Sequence, residues 1–137
     1  MSDDVLLNKA EIIERCIARI QDIYSGDSSN LRSDQNKQDA IILNIERACQ
    51  ASIDMAMRAV KIKRLGLPKE SRDAFDLLKQ AQVLDEQLCA KMHGLVGFRN
   101  TAIHNYKKLD LNIVEAIILT RLDDFRDLSS KLVKAFP

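Results

Sequence analysis

The chain has 137 residues, a length that fits one domain, and its 21 Lys and Arg against 20 Asp and Glu give a net charge of +1. With 46% hydrophobic residues, four glycines and two prolines, the composition excludes a disordered chain, a collagen-like repeat and an all-β fold. It also excludes a uniformly basic protein that binds nucleic acid over its whole surface. We therefore expect a single all-α domain over residues 1–137.

The start of the chain and its cysteines favour a cytoplasmic protein. Residues 1–4 carry acid where a signal peptide carries base, and no apolar run approaches the ~18 residues of a membrane span. Cys16, Cys49 and Cys89 form no Cys-x-x-Cys pair, so they are predicted to be buried thiols of a reducing compartment. We expect no membrane partner and no cofactor.

Apolar residues at helical spacing predict helices along the whole chain. The first is expected from residue 4 to 24 and is followed by a polar loop from 26 to 33. A long helix from about residue 34 to 64 comes next, and it is stopped by Gly66 and Pro68.

Shorter helices complete the prediction. Ser71 is the expected N-cap of one helix and Asp85 that of the next, which runs toward His104. Asn112 and Glu115 resemble a capping box at the start of a single closing helix. That helix carries the apolar residues Ile118, Leu122, Phe125, Leu128 and Leu132. Four to five antiparallel helices with short connections make an up-and-down bundle.

The near-neutral total hides a segregation of charge. Residues 1–40 carry 5 basic and 8 acidic side chains, residues 41–109 carry 12 and 7, and residues 110–137 carry 4 and 5. Within the basic middle part, residues 55–69 and 87–109 contain no acid. Such runs are commonly solvated helix faces, but two of them in a neutral chain suggest a local patch for a polyanion. The lysines expected to bind RNA weakly are Lys91, Lys107 and Lys108.

The common catalytic and metal-binding motifs are missing. There are two histidines, no His-Glu-x-x-His and no cysteine–histidine cluster with the spacing of metal ligands, so no metal site is expected. The glycines form neither a P-loop nor a dinucleotide fingerprint, and no nucleophile elbow marks a Ser-His-Asp triad. We expect His93 to be a non-catalytic surface or interface residue, and Gly94 and Gly97 to let another helix approach.

A polar cluster remains near the end of the helix that runs toward His104. At about 100° per residue, Arg99, Asn100 and His104 fall on one face. Tyr106 joins them beside Arg99 if the helix continues that far, and the Asn100 amide could orient the imidazole. Arginine offers a charged planar fork for phosphate oxygens, and histidine exchanges protons near neutral pH. Arg99 and His104 are therefore the minimum set for metal-free RNA cleavage, although such a pair also occurs by chance in helices.

The same segment resembles the HEPN-domain family, and within it the HepT group. The HepT motif is Arg-x4-His-x-Tyr, usually with a polar residue after the arginine, and it reads here as Arg99-Asn100-x3-His104-x-Tyr106. A family-like stretch over residues 92–98 precedes it. The layout of the helices matches the family over nearly the whole chain.

The resemblance implies a helical homodimer whose two motif helices face each other in one composite site, with Arg99, Asn100 and His104 as catalytic residues. It implies a metal-independent endoribonuclease toxin of a toxin–antitoxin pair, acting on RNA. The implied partner is an MntA-type nucleotidyltransferase antitoxin, which transfers AMP from ATP onto the motif tyrosine, here Tyr106. AMP on Tyr106 would add negative charge and bulk where the RNA phosphate must bind.

Two other interpretations stay open at the level of the sequence. The chain could be a non-catalytic helical partner that binds nucleotide or substrate for a minimal nucleotidyltransferase. It could also be a four-helix interaction module in which Arg99 and His104 pair across an interface. Growth arrest on expression, relieved by substituting either residue, would separate the enzyme from both alternatives.

Overall fold

Helices make up the fold of residues 3–136, the part of the chain that the computed structural model describes. In chain order they are α1 Asp4–Tyr24, α2 Ser29–Arg32, α3 Gln35–Lys63, α4 Ser71–Gln80, α5 Glu86–His104, α6 Leu111–Thr120 and α7 Leu122–Ala135, with a short 3₁₀ helix, Tyr106–Lys108, after α5. Residues 3–136 contain no strand, which confirms the all-α prediction. No helix within this range is long and apolar enough to cross a membrane.

The long helix α3 lies at the centre of the bundle, with α1, α4, α5 and α7 packed against it. Its buried face includes small residues, among them Ala48, Ser52, Ala56 and Ala59, which let neighbouring helices approach closely. Helix α1 makes the most extensive contact with α3, through an apolar face that is fully buried. That face consists of Leu6, Ile13, Ile17 and Ile20.

Aspartates cap the N-termini of α1, α3 and α5. The carboxylates of Asp3, Asp34 and Asp85 each accept a hydrogen bond from a backbone N–H two or three residues into α1, α3 and α5, at 2.7–3.1 Å. Each such cap is worth about 1 kcal/mol. The expected cap at Asp85 is confirmed, and the predicted bounds of α1 and α3 agree with the structure to within one residue.

Two local predictions are wrong. The expected polar loop over residues 26–33 contains α2, because Leu31 is fully buried and folds a single helical turn onto the core. Ser71 is the first residue of α4, and its N-cap is Glu70. The cap shifts by one residue because the Asp73 carboxylate accepts hydrogen bonds from the backbone N–H groups of Lys69 and Glu70, both at 3.0 Å.

The closing helix is also mispredicted. It is broken at Arg121, where φ is −115° and ψ is −9°, so that α6 and α7 are separate helices. The predicted capping box of Asn112 and Glu115 does not form. Asp110 caps α6 by accepting from the Asn112 N–H at 2.8 Å, and the Glu115 side chain is engaged elsewhere.

Glu115 lies at the centre of a cluster that joins the N-terminal helices to α6. Its carboxylate accepts from the Tyr24 hydroxyl at 2.8 Å and from the Arg32 guanidinium at 2.9 Å. Arg32 also donates to the Asn112 carbonyl at 2.8 Å. Hydrogen bonds from Ser28, Tyr24 and Arg32 lower the pKa of Glu115 to about 2, so the carboxylate is ionised across the neutral range.

The three cysteines are buried and unpaired, as predicted. Burial raises the pKa of Cys49 to about 12 and that of Cys89 to about 11, and it also raises the pKa of Cys16. All three are therefore protonated thiols at neutral pH.

Candidate active site

The residues singled out by the motif lie at the C-terminal end of α5, on the surface of the bundle. Arg99 is half-buried, whereas Asn100 and His104 are exposed, and His104 is the last residue of the helix. The Arg99 guanidinium donates to the Asn100 carbonyl oxygen at 3.4 Å. In this arrangement the Asn100 carbonyl contacts the arginine, not the imidazole. Three polar groups are thus presented together to solvent.

Tyr106 does not continue the helix, so its predicted place beside Arg99 on α5 is wrong. The backbone leaves helical geometry at Asn105, where φ is −152° and ψ is 60°, and Tyr106 begins the 3₁₀ helix. Its hydroxyl donates to the Asp39 carboxylate on α3. Burial and the bond to Asp39 hold the pKa of Tyr106 above its usual range, so the phenol is protonated at neutral pH.

Glu46 is a half-buried carboxylate on α3. The negative charge of Glu46 raises the pKa of Tyr106, and the positive charge of Arg99 acts on Glu46. Burial raises the pKa of Glu46, and Arg99 opposes this shift. Because Asp39 and Glu46 are seven residues apart on α3, they share one face of that helix. Tyr106 is therefore joined to α3 through Asp39 and does not extend α5.

Neither acid was singled out from the sequence. Residues 87–109 contain no acid when only that stretch of sequence is considered. Asp39 and Glu46 belong to α3, which comes much earlier in the chain, and they approach this stretch only in the folded structure. The signal that could have found them is their seven-residue spacing, which places both on one face of α3.

Arg72, on α4, is a further basic residue beside the motif that sequence patterning did not reveal. Its guanidinium donates twice to the His93 carbonyl, at 3.2 and 3.1 Å. It also covers Gly97, where an added Cβ would lie 2.6 Å from an Arg72 nitrogen. Within this chain, Gly97 thus accommodates an arginine side chain in place of the expected helix, and Gly94 faces open space. Arg72 and Asn100 line one polar pocket of about 500 Å³.

The candidate lysines occupy two different places. Lys107 and Lys108 are exposed in the 3₁₀ helix directly after Tyr106. Lys91 lies about two turns before Arg99 on α5 and pairs with the buried Asp124 carboxylate at 3.6 Å. Because Asp124 partly neutralises Lys91, the positive charge next to the motif comes chiefly from Arg72, Arg99 and the lysine pair.

Comparison with known proteins gives a consistent result. Residues 13–132 match the family described as ribonuclease HepT-like. The chain is 42% identical over 123 residues to the mRNA nuclease HepT of Shewanella oneidensis, an alignment that covers 90% of this chain and 92% of that protein.

Solved structures show the same relationship in three dimensions. A tri-AMPylated Shewanella oneidensis HEPN toxin in complex with MNT antitoxin superposes with a TM-score of 0.91 and 40% identity, covering 97% of this chain and 98% of that one. A toxin–antitoxin structure with AMP-PNP gives a TM-score of 0.90 and 38% identity, covering 95% and 98%. The fold, the motif and the family match agree, and this chain belongs to the ribonuclease HepT-like family.

Proposed function

We propose that this protein is a metal-independent endoribonuclease toxin, held inactive by a nucleotidyltransferase antitoxin of the MntA type. The observation that carries the proposal is the exposed group of Arg99, Asn100 and His104 at the end of α5, in a chain of the ribonuclease HepT-like family. The relatives support it, since one is named an mRNA nuclease and another is a toxin in complex with its antitoxin.

These side chains have the chemistry that cleavage of an RNA phosphodiester requires. The His104 imidazole takes the proton of a ribose 2′-hydroxyl, and the 2′-oxygen attacks the adjacent phosphorus. The bond from phosphorus to the 5′-oxygen breaks, leaving a 2′,3′-cyclic phosphate. Arg99 donates to the non-bridging oxygens as their charge increases, and Asn100 holds the guanidinium. Lys107, Lys108 and, more weakly, Lys91 contribute charge that attracts the RNA backbone.

A homodimer supplies the second proton carrier. The departing 5′-oxygen needs a proton, and His104 of a second copy provides it when two motif helices face each other. Support comes from apolar surface beside the motif: Ile103 and Ile113 are 47% and 54% exposed. Ile113 also lines a groove of about 230 Å³ together with Gly94 and Gly97. A second copy that covers this surface would remove it from water.

Tyr106 is the AMP acceptor in this proposal, and Asp39 takes its proton. The phenolic oxygen attacks the α-phosphorus of ATP held by the antitoxin, the bond to pyrophosphate breaks, and the proton passes to the Asp39 carboxylate. A base is needed because the pKa of Tyr106 lies above its usual range, and Asp39 already accepts the hydroxyl hydrogen bond. The added phosphate would compete with RNA phosphate for the positive charge of Lys107 and Lys108, which directly follow Tyr106.

Cleavage of a defined RNA by the purified protein in excess EDTA tests the proposal. We expect products that end in a 2′,3′-cyclic phosphate, formed by a particle that light scattering identifies as a dimer. Matched controls are Arg15→Ala, which removes an exposed arginine on α1, and His93→Gln, which changes the other histidine. Strict dependence on added metal, or cleavage that leaves a 3′-hydroxyl, would contradict the mechanism.

A further inference from the structure

A second cluster of reactive side chains lies between α4 and α5. The His93 imidazole Nε2 is 2.8 Å from the Asp76 carboxylate, and the Cys89 thiol donates to the same carboxylate oxygen at 3.5 Å. The three ligand-type atoms all lie within 4.8 Å of one another. None of the three residues has a part in the proposed cleavage of RNA or in AMP transfer.

The positions of these residues suit chelation. Cys89 and His93 are four residues apart on α5, so their side chains point from the same face one turn apart. Asp76 reaches them from α4, which packs on α5. At the usual bond lengths, the ligand atoms of a tetrahedral zinc site are about 3.3–3.6 Å apart. The ligand atoms here lie within 4.8 Å of one another, so they need to move by only about 1 Å to bind the ion.

We propose that Asp76, Cys89 and His93 bind one divalent transition-metal ion of the Zn²⁺ type. Thiolate, imidazole and carboxylate are the ligand types that Zn²⁺ takes in proteins, at about 2.0–2.3 Å. A fourth position is left for water. This proposal departs from the sequence-based expectation of no metal site, because Asp76 joins Cys89 and His93 only through the packing of α4 on α5.

Charge and access favour a dication at this place. When the ion displaces the thiol proton, the thiolate and carboxylate together carry two negative charges, which the metal neutralises. The Cys89 side chain is buried, but His93 and Asp76 are 34% and 39% exposed, so an ion enters from the solvent side.

The metal acts as a tether and lies apart from the proposed ribonuclease residues. His93 precedes His104 by eleven residues, a rise of about 16 Å along the helix axis. Binding would fix α4 against α5 and keep Arg72 over Gly97. None of the three ligands takes part in the proposed cleavage of RNA, so metal binding and RNA cleavage are tested separately, and the failure of one does not decide the other.

Titration of the full-length metal-free chain with Co²⁺ tests the site. We expect one equivalent to give the charge-transfer absorption of a cobalt–thiolate bond together with the visible bands of tetrahedral cobalt, and Zn²⁺ to remove both. Zn²⁺ in a hundredfold excess over its dissociation constant should also raise the melting temperature by about 5 °C or more.

Substitutions locate the ligands. Cys89→Ser, His93→Gln and Asp76→Asn should each weaken metal binding at least tenfold, whereas Cys16→Ala and His104→Gln should leave it unchanged. The Asp76 and His93 variants change partly exposed side chains, and circular dichroism without metal verifies that they fold. A folded wild-type chain without the cobalt–thiolate absorption, or equal affinity in the His93→Gln and His104→Gln variants, would overturn the proposal.

Discussion

The two tyrosines of this chain make the same hydrogen bond in two different settings. Tyr24 is 7% exposed and donates to Glu115, whereas Tyr106 is 38% exposed and donates to Asp39. In both cases a phenol joins one element to a carboxylate on a distant helix. The two settings differ in the groups that surround the carboxylate and in the exposed fraction of the tyrosine side chain.

The further donor to Glu115 comes from another helix, whereas the further donor to Asp39, the Gln35 amide at 2.8 Å, belongs to the same helix, α3. Arg32 bonds both Glu115 and Asn112, so that opening the Tyr24 contact disturbs α1, α2 and α6 together. Tyr106 belongs to a three-residue 3₁₀ helix, and freeing its hydroxyl requires the loss of one hydrogen bond. Tyr24 is built into the core, and Tyr106 is accessible to solvent.

The largest expected difference between the tyrosines is in AMP transfer. When the protein is co-expressed with a nucleotidyltransferase antitoxin, mass spectrometry should find AMP on a peptide that contains Tyr106. Tyr106→Phe should abolish the modification and Tyr24→Phe should leave it intact, because only the former hydroxyl is accessible. AMP found on Tyr24 alone would contradict the assignment of Tyr106 as the acceptor.

Asp39 provides the next largest effect. Asp39→Asn keeps the shape of the side chain but removes the proton acceptor of Tyr106, so AMP transfer should slow by about 10²-fold or more. Glu115→Gln is the matched control, since it makes the same change at the other tyrosine and should not alter the rate. If Asp39→Asn transferred AMP at the wild-type rate, Asp39 would have no role as a base.

For the stability of the fold, we expect Tyr24 to matter more than Tyr106. Tyr24→Phe removes one partly buried hydrogen bond to a carboxylate, and we expect a loss of about 1 kcal/mol in the free energy of unfolding. Tyr106→Phe changes an exposed contact and should cost less than about 0.5 kcal/mol. Urea denaturation of the two variants measures both values, and an equal loss in each would show that the settings do not differ energetically.

The smallest effect is a pH dependence that belongs to the Tyr24 cluster. The pKa of Glu115 is lowered from its usual value of 4.5 to about 2, so its contribution to stability is complete above pH 4.5. That contribution is lost as the pH falls toward 2. The melting temperature of the wild type should therefore decline more steeply between pH 5 and 2 than that of Glu115→Gln. If the melting temperature fell equally with pH in both proteins, the cluster would not stabilise the ionised Glu115 carboxylate.

Most helices could be predicted because their signals are local. The apolar spacing of α1 and the aspartates before α3 and α5 lie within a few residues of the ends that they define. The break at Arg121 has no such signal, since no glycine or proline occurs nearby. Leu31 forms its turn because it packs on the core, which is a contact with distant residues.

The candidate site divides in the same way. Arg99, Asn100 and His104 could be placed on one face from spacing alone, because α5 continues through all three. Because α5 ends at Asn105, Tyr106 lies in the 3₁₀ helix, and its hydroxyl contacts Asp39 on α3. That contact is between residues far apart in sequence and could not be predicted from spacing. Glu46 and Arg72 could not be assigned from the sequence because each approaches from another helix.

The rate of RNA cleavage by single variants at the end of α5 decides whether Arg99 and His104 carry out the reaction. With a defined RNA in EDTA, His104→Ala should lower the rate by about 10²–10⁴-fold and Arg99→Ala by about 10²–10³-fold, while both variants keep the wild-type melting temperature. Expression of either variant should no longer arrest growth. Cleavage and growth arrest at wild-type levels in both variants would contradict the account.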